Sequence, residues 1–256
     1  MIGGGFIGSE LAAALAGIGK QVVMIFPDPG IGARLFPPEL AEFLNDFYRQ
    51  KGVEVLSGEL VAGVQRRNGR LTLNTRHAQT HREREVVADG IVAGLGIRPN
   101  VEVAQAAGLE TDDGIRVDRS LRTNHRDIYA AGDVASFYNP ALDKRLRVEH
   151  EDNANTMGEL AGRVMAGEAV LYDHLPFFYS DLFELGYEAV GEVDFRLDTV
   201  ADWKEPYRQG VVYYLRGGRV RGVLLWNVWQ QVDAARRLIA EGRTLRPEEL
   251  QGLLPA

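Results

Sequence analysis

The chain of 256 residues contains no cysteine. Disulfides, thiolate metal sites and C-x-x-C redox chemistry within it are therefore excluded. Lysine is scarce: Lys20, Lys51, Lys144 and Lys204 are the only four, and every other basic side chain apart from histidine is arginine. No apolar run approaches the length of a membrane span. The first residues do not read as a secretory leader with a basic start and a cleavage site. These absences lead to the expectation of a cytoplasmic globular protein. Positive charge is in deficit, with 29 Lys and Arg against 36 Asp and Glu and a net charge of −7. That argues against nucleic acid as a main partner, because its phosphates must be neutralised by basic side chains. The basic residues that do cluster, from Arg66 to Arg84, read as the solvated face of a hairpin. A hydrophobic fraction of 45% is enough for a sizeable core. The length allows one large domain or two to three smaller ones.

What is present begins with glycine. Gly3, Gly5 and Gly8 have the G-x-G-x-x-G spacing of a dinucleotide-binding turn. The first glycine permits the turn, the second lets the backbone approach a pyrophosphate, and the third lets the helix pack close to the strand. The pyrophosphate would rest on amides at the helix N-terminus, where the macrodipole favours negative charge. Phe6, Ile7, Leu11, Leu15 and Ile18 recur at helical spacing and are expected to form the buried face of that helix. Residues 22–26 read as a buried parallel strand. Asp28 follows it, about 20 residues past Gly8, where a ribose-binding acid belongs. Arg34 is near enough in sequence to compete, since a guanidinium can pair with a 2′-phosphate. Only Met1 and Ile2 precede the turn, whereas a feeding strand usually has about five or six residues. The chain is therefore expected to be the later part of a longer protein.

Further along, a helix is expected over 37–51, with Leu40, Phe43, Leu44, Phe47 and Tyr48 on one face. A strand follows at 53–56. Two alternating runs around Asn68-Gly69 predict a hairpin. Together these make a βαβαβ unit followed by an antiparallel flap. Residues 94–100, Gly-Leu-Gly-Ile-Arg-Pro-Asn, suit a crossing between domains. Residues 128–131 read as an apolar strand delivering Asp133 after Ala-Gly. That acid is either a ligand for a hydroxyl in the crevice of an α/β fold or a structural turn Asp. A helix is expected over 152–166 and another over 234–239, with a last one over 247–254. Strands are expected at 187–193, 210–215 and 220–226, the last two joined by Arg216-Gly217-Gly218-Arg219. Trp226 and Trp229 read as core residues. His150 is either a satisfied histidine near a helix start or part of a site.

These motifs together resemble the flavin-dependent pyridine-nucleotide oxidoreductases of the two-dinucleotide-fold class, and within it the apoptosis-inducing-factor-like group. Residues 3–8 resemble the NAD turn of that class, 94–100 its return crossing, and 123–133 its second flavin motif. Val148-Glu149-His150, Phe178-Tyr179-Ser180-Asp181-Leu182, Gly186-Tyr187-Glu188-Ala189-Val190-Gly191 and Leu224-Leu225-Trp226-Asn227 resemble the later parts of the group. The resemblance implies an α/β chain: a Rossmann-type NAD-binding domain with a three-layer β-flap over residues 1–94, the second part of an FAD-binding domain over 95–170, and an α+β C-terminal, dimerising domain over 171–256. It implies an NAD(P)H-dependent FAD oxidoreductase, with NADH preferred over NADPH and a ferredoxin, a quinone or oxygen as acceptor. The alternative is a nicotinamide-binding, dimerising module without turnover.

The implied catalytic residues are Glu10, Glu149 and His150. The implied cofactor-binding residues are Gly3, Gly5, Phe6, Ile7, Gly8, Glu10, Asp28, Arg34, Leu95, Gly96, Asp133, Glu149, His150, Tyr179 and Glu188, and no metal site is implied. Glu10 would position the nicotinamide amide and Asp133 the ribityl chain. Glu149 and His150 would stand where the rings meet. Tyr179 matches a tryptophan of several relatives, so it would stack there. The one glycine turn is committed to NAD, so this chain is expected to hold only the flavin end of FAD.

Overall fold

The computed structural model describes residues 1–255. Its first part is built around the glycine turn. Helix α1 (Phe6–Gly17) leads to strand β1 (Val23–Phe26), helix α2 (Pro38–Gln50) and strand β2 (Glu54–Ser57), and β1 and β2 pair in parallel. Residues 1–3 lie between β1 and the stretch at 92–94. Gly3 N–H donates to Ile25 O at 2.9 Å, and Ile2 N–H donates to Val92 O at 2.8 Å. Parallel bridges join Ile2 to Ile25 on one side and to Ala93 on the other. The turn thus starts from a central position of a small parallel layer.

The flap is one antiparallel sheet of β3 (Glu59–Arg67), β4 (Arg70–His77) and β5 (Glu83–Ala88). Its hairpin turns at Asn68 and Gly69, with φ of 50° and 82°. Two consecutive left-handed residues are what a tight hairpin of this twist requires. The arginines of the cluster are exposed along it, Arg84 being half-buried.

Next come α3 (Glu102–Ala106) and a four-stranded sheet in the order β6 (Thr111–Asp112), β7 (Gly114–Arg116), β8 (Ala135–Asn139) and β9 (Lys144–Leu146). Here the sequence reading is corrected. Residues 128–131 form only one bridge, Arg122 to Tyr129, and the strand β8 starts after Asp133 rather than before it. Asp133 itself sits in a 3-10 turn, Gly132–Val134. Helix α4 (Glu151–Met165) follows His150, its N-cap residue.

The last part is a five-stranded antiparallel sheet in the order β10 (Phe177–Leu182), β11 (Leu185–Gly191), β14 (Arg219–Trp226), β13 (Gln209–Arg216), β12 (Asp198–Glu205). Helix α5 (Val232–Glu241) and the short α6 (Pro247–Leu250) follow, the latter ending four residues before the expected boundary. β12 carries no clean alternation in sequence, so no periodic signal marks it as a strand. One face of this sheet, with Tyr187, Tyr214, Leu224 and Trp226, packs on α1 and α2; the other, with Val190, Val211, Val223 and Leu225, packs on α5 and α6. Both faces are covered, so the central strands are apolar throughout rather than alternating.

Two expected core assignments are overturned. On α1 the buried residues are Gly8, Ser9, Ala12 and Ala13, while Ile7, Leu11 and Ile18 are 49, 38 and 72% exposed. The helix is apolar nearly all round, so periodicity does not select a face. Small residues win because close approach to the strands and to β10 requires them. Trp226 is fully buried, as expected, but Trp229 is 49% exposed and covers Gly186 from outside.

Candidate functional site

The glycine turn fits the three roles its spacing predicts. A Cβ on Gly3, where φ is 111°, would stand 2.2 Å from Gly94 O, and a Cβ on Gly8 would stand 2.2 Å from Gly3 O. Gly5 is different: a Cβ there would meet nothing within 4 Å. Gly5 is also the N-cap of α1 and leaves the first amides of the helix without a side-chain cap. Helix amides in the first turn have no partner inside the helix. An open, uncapped N-terminus beside a bare glycine is a surface that fits a pyrophosphate. The turn is tied to the neighbouring loop by Gly32 N–H donating to Gly4 O at 2.8 Å.

Two clefts hold residues singled out in sequence, one at the start of α1 and one past the end of β1. The first has a volume of about 510 Å³ and includes Phe6 and Glu10 of α1, Glu149 and His150 before α4, and Phe178 and Tyr179 of β10 in its lining. Three chain segments far apart in sequence meet here. The His150 imidazole stacks on Phe178 with ring centroids 4.3 Å apart and planes 8° apart. Phe6 meets His150 edge-on at 5.7 Å. Burial lowers the His150 pKa, against the opposing charges of Glu149, Asp133 and Asp152. The ring is therefore neutral at pH 7. Among the described residues, the Glu10 carboxylate has no hydrogen-bond or ion-pair partner. It stands in the cleft as a free acceptor.

Arg147, which sequence reasoning passed over, organises the second wall. Its side chain is almost fully buried, and Nη1 lies 2.5 Å from Glu149 Oε1. The same Nη1 donates to Asp133 O at 3.1 Å. Arg147 thus fixes Glu149 and the Asp133 turn relative to each other. The Asp133 side chain is exposed beside the first turn of α4. His150 N-caps α4 with no side-chain cap hydrogen bond. An uncapped helix N-terminus next to an exposed carboxylate can hold polar ligand groups.

A third group, also missed, locks the start of α4 to the C-terminal part. Asp152 Oδ2 lies 2.6 Å from His174 Nε2 and accepts from Phe177 N–H at 3.2 Å and from Arg236 Nη2 at 3.1 Å. Burial works against ionisation of Asp152, but these partners outweigh it and hold its carboxyl below the ordinary carboxylate range. No sequence signal marks this set, since its members stand 22 and 62 positions apart and become neighbours only on folding.

The second cleft, of about 580 Å³, lies past the end of β1 and includes Asp28, Arg34 and Ser57. Asp28 and Arg34 do not compete from separate positions: Arg34 Nε is 3.4 Å from Asp28 Oδ2. Of the remaining residues singled out in sequence, Ile7 is exposed on the outer face of α1, and Leu95 and Gly96 are exposed on the crossing loop. Glu188 lies on β11 paired with Tyr179, apart from the lining of either cleft. Its Oε2 is buried without a hydrogen-bond partner, and burial raises its pKa. Tyr179 is half exposed at the rim of the first cleft; the ring that stacks on His150 is that of its neighbour Phe178. Among the described residues no His, Asp and Glu cluster could hold a metal ion, and no helix is long and apolar enough to cross a membrane.

Residues 1–158 match the family described as pyridine nucleotide-disulphide oxidoreductase. Residues 161–206 and 201–241 match the family described as apoptosis-inducing factor, mitochondrion-associated, C-term. The chain is 36% identical to apoptosis-inducing factor 1, mitochondrial, of Dictyostelium discoideum, over 96% of this chain and 49% of that protein. It is 33% identical to the anthranilate 1,2-dioxygenase system ferredoxin–NAD(+) reductase component of Burkholderia cepacia, over 98% of this chain and 61% of that protein. The chain thus spans about half to three fifths of these two relatives. The ferredoxin reductase for the CYP199A2 system from Rhodopseudomonas palustris superposes with a TM-score of 0.85 at 28% identity, over 96% of this chain and 60% of that one.

Proposed function

The chain belongs to the pyridine nucleotide-disulphide oxidoreductase family, and from that premise we propose that it binds NADH across the glycine turn and works with FAD to pass electrons to an acceptor. The observation that carries this reading is the convergence of two uncapped helix N-termini, α1 and α4, with a free carboxylate and a neutral imidazole between them. Asp28, the amides following Gly5, and Glu10 are the groups that would hold the dinucleotide. Bound NADH supplies a hydride and bound FAD its acceptor; the protein supplies orientation and electrostatics. Glu10 accepts a hydrogen bond from the carboxamide of the nicotinamide and fixes which ring face is presented. The stacked His150 and Phe178 wall excludes water on one side. Asp133 and the first amides of α4 receive the flavin end, with Arg147 holding Glu149 and the Asp133 turn in register. This chain has no cysteine, so it offers no dithiol for disulfide reduction. A ferredoxin-type protein is the acceptor we favour, because a reductase component of that kind is among the relatives. The divisions at 94–95 and 170–171 serve as the working domain boundaries.

The test is a titration of the purified protein with NADH and with ADP-ribose, which lacks nicotinamide. Glu10→Gln is expected to weaken NADH binding about fivefold, the loss of one hydrogen bond to a carboxylate of about 1 kcal/mol, and to leave ADP-ribose binding as it was. Equal weakening of both ligands, or none, counts against the role of Glu10. In the flavin-loaded protein the same substitution slows NADH oxidation; flavin-loaded protein that leaves NADH unoxidised overturns the enzyme reading.

NADH is preferred over NADPH in this reading, since Asp28 accepts from ribose hydroxyls and repels a 2′-phosphate. Arg34 weakens that repulsion through its ion pair with Asp28 without replacing it, because its side chain is largely exposed and such pairs contribute little. NADH is expected to bind at least about tenfold tighter than NADPH. Tighter binding of NADPH in parallel titrations refutes the assignment of Asp28. Self-association completes the proposal. Ile7, Leu11, Leu95, Ile97 and Val103 are exposed, and apolar area of this kind is commonly covered by a partner surface. Light scattering at micromolar concentration is expected to give a dimer; a clean monomer overturns this part.

A further inference from the structure

We propose that Phe195, from the loop that follows β11, stacks on the adenine of the bound dinucleotide. The proposal rests on the reading of Asp28 as the ribose-binding acid and adds to it a wall supplied by the last part of the chain. Phe195 is the one aromatic residue that lines the cleft past the end of β1, and the residue is 47% exposed. Its neighbours on either side are anchored. Val193 is buried, and Leu197 packs against the same core. Glu192 N–H donates to Arg221 O at 2.8 Å, Arg196 N–H to Asp194 Oδ1 at 3.0 Å, and Leu197 N–H to Asp194 O at 3.0 Å. Phe195 N–H donates to Arg34 O at 3.3 Å. The loop is thus held against the residue that pairs with Asp28, and the ring is presented to the cleft on a fixed backbone.

The charge of the cleft selects the base rather than the phosphates. Asp28 pairs with Arg34, and Asp46 pairs with Arg49 at 2.8 Å. Asn45 is also committed, accepting from Ile31 N–H and donating to Pro29 O. No unpaired cation among the lining residues remains for an anion, whereas a flat neutral heterocycle needs only an aromatic face and the ribose acid beside it. Base–aromatic stacking is tolerant of sequence and geometry and does not require further hydrogen bonds.

The experiment compares NADH with reduced nicotinamide mononucleotide, which lacks the adenosine half, on the full chain. Phe195→Ala is expected to raise the Kd for NADH about tenfold, the lower range of what one base–aromatic stack contributes, and to leave the Kd for the mononucleotide unchanged. Phe195→Trp is expected to restore NADH binding, and its indole fluorescence should change on addition of ADP-ribose. An unchanged melting temperature in both variants shows that the exposed ring is not holding the fold. If the wild type binds NADH and Phe195→Ala binds it equally well, or loses both ligands equally, the stack is overturned while Asp28 keeps its role. If Asp28→Ala also leaves NADH binding intact, the reading beneath the proposal has failed, and the stack with it.

Discussion

Replacing Gly8 by alanine is expected to lower the melting temperature by about 10 °C and to abolish measurable NADH binding. The new Cβ would stand 2.2 Å from the carbonyl oxygen of Gly3 and 2.9 Å from its carbonyl carbon. Both are backbone atoms, and neither can step aside. Residues 1–3 are hydrogen-bonded to β1 on one side and to 92–94 on the other, and Gly3 already sits against Gly94. The start of α1 must therefore swing away from the sheet. Overpacking costs about 1–3 kcal/mol and occasionally more, and about 4 kcal/mol is expected here because backbone has to move. Alanine's better helix propensity returns about 1 kcal/mol at most. A net loss of roughly 3 kcal/mol corresponds to about 10 °C for a chain of this size. Gly5→Ala is the matched control. Its Cβ meets nothing within 4 Å, and its φ of −85° suits any residue. Its melting temperature is expected to stay near that of the wild type. NADH binding should still fall about tenfold or more, because the methyl group blocks at least one charge-assisted hydrogen bond of about 1.5 kcal/mol. Scanning calorimetry and a binding titration separate the two. A Gly8→Ala protein that melts with the wild type, or a Gly5→Ala protein that binds like it, sinks the assignment of the turn.

Arg236→Ala is expected to cost about 2–3 kcal/mol and to move acid unfolding to higher pH. Arg236 Nη2 reaches both oxygens of Asp152, Nε donates to Leu175 O at 2.8 Å, and the guanidinium lies over the Phe177 ring at 5.3 Å. The two charged side chains are only 23 and 20% exposed. Removing one partner of a buried pair costs about 3–5 kcal/mol, and residual solvent contact reduces that here. The exposed Arg246–Glu249 pair provides the contrast: its loss should leave the urea midpoint near that of the wild type. The sign of the pH effect follows from Asp152. Its folded pKa is lowered, so its contribution to stability is present above the unfolded carboxylate value of about 3.9 and is lost as pH falls toward the folded value. Without Arg236 the folded pKa rises toward the unfolded value, so the Asp152 contribution to the slope of the acid limb shrinks. Acid unfolding still sets in at higher pH, because the variant has less stability to lose. Asp152→Asn removes the titrating group and should flatten that limb further. Urea midpoints between about pH 3 and pH 7 read both effects, and an Arg236→Ala curve parallel to the wild type would refute the linkage.

The local motifs of this fold are legible because backbone geometry dictates them. A left-handed pair at Asn68 and Gly69, three glycines at fixed spacing and an acid after a short apolar strand each have one structural meaning in their context. The face of α1 is not legible in the same way. Ile7 and Leu11 read as core by periodicity, yet Ala12 and Ala13 are buried, because which side of an all-apolar helix faces inward depends on what packs against it. The same holds for Trp229, whose half-exposed indole covers the bare backbone of Gly186. Glu149 and His150 are marked as a pair in sequence. What holds them is not, since Arg147 is one of many arginines until its burial is known.

The sequence alone determined the glycine turn ahead of a helix, the position of Asp28 after a short strand, the hairpin flap, the near-total apolarity of the central C-terminal strands and the absence of cysteine. These follow from spacing, residue type and composition, which act over a few positions. The tertiary structure alone decided that Phe6, His150 and Phe178 share one cleft, that Asp152, His174 and Arg236 form one ionic lock, and that Phe195 faces the cleft of Asp28. Each of these contacts joins residues separated by tens to nearly two hundred positions. Such partners are selected by the closure of the sheets on the helices, where burial and charge pairing are settled together, and no local pattern encodes them.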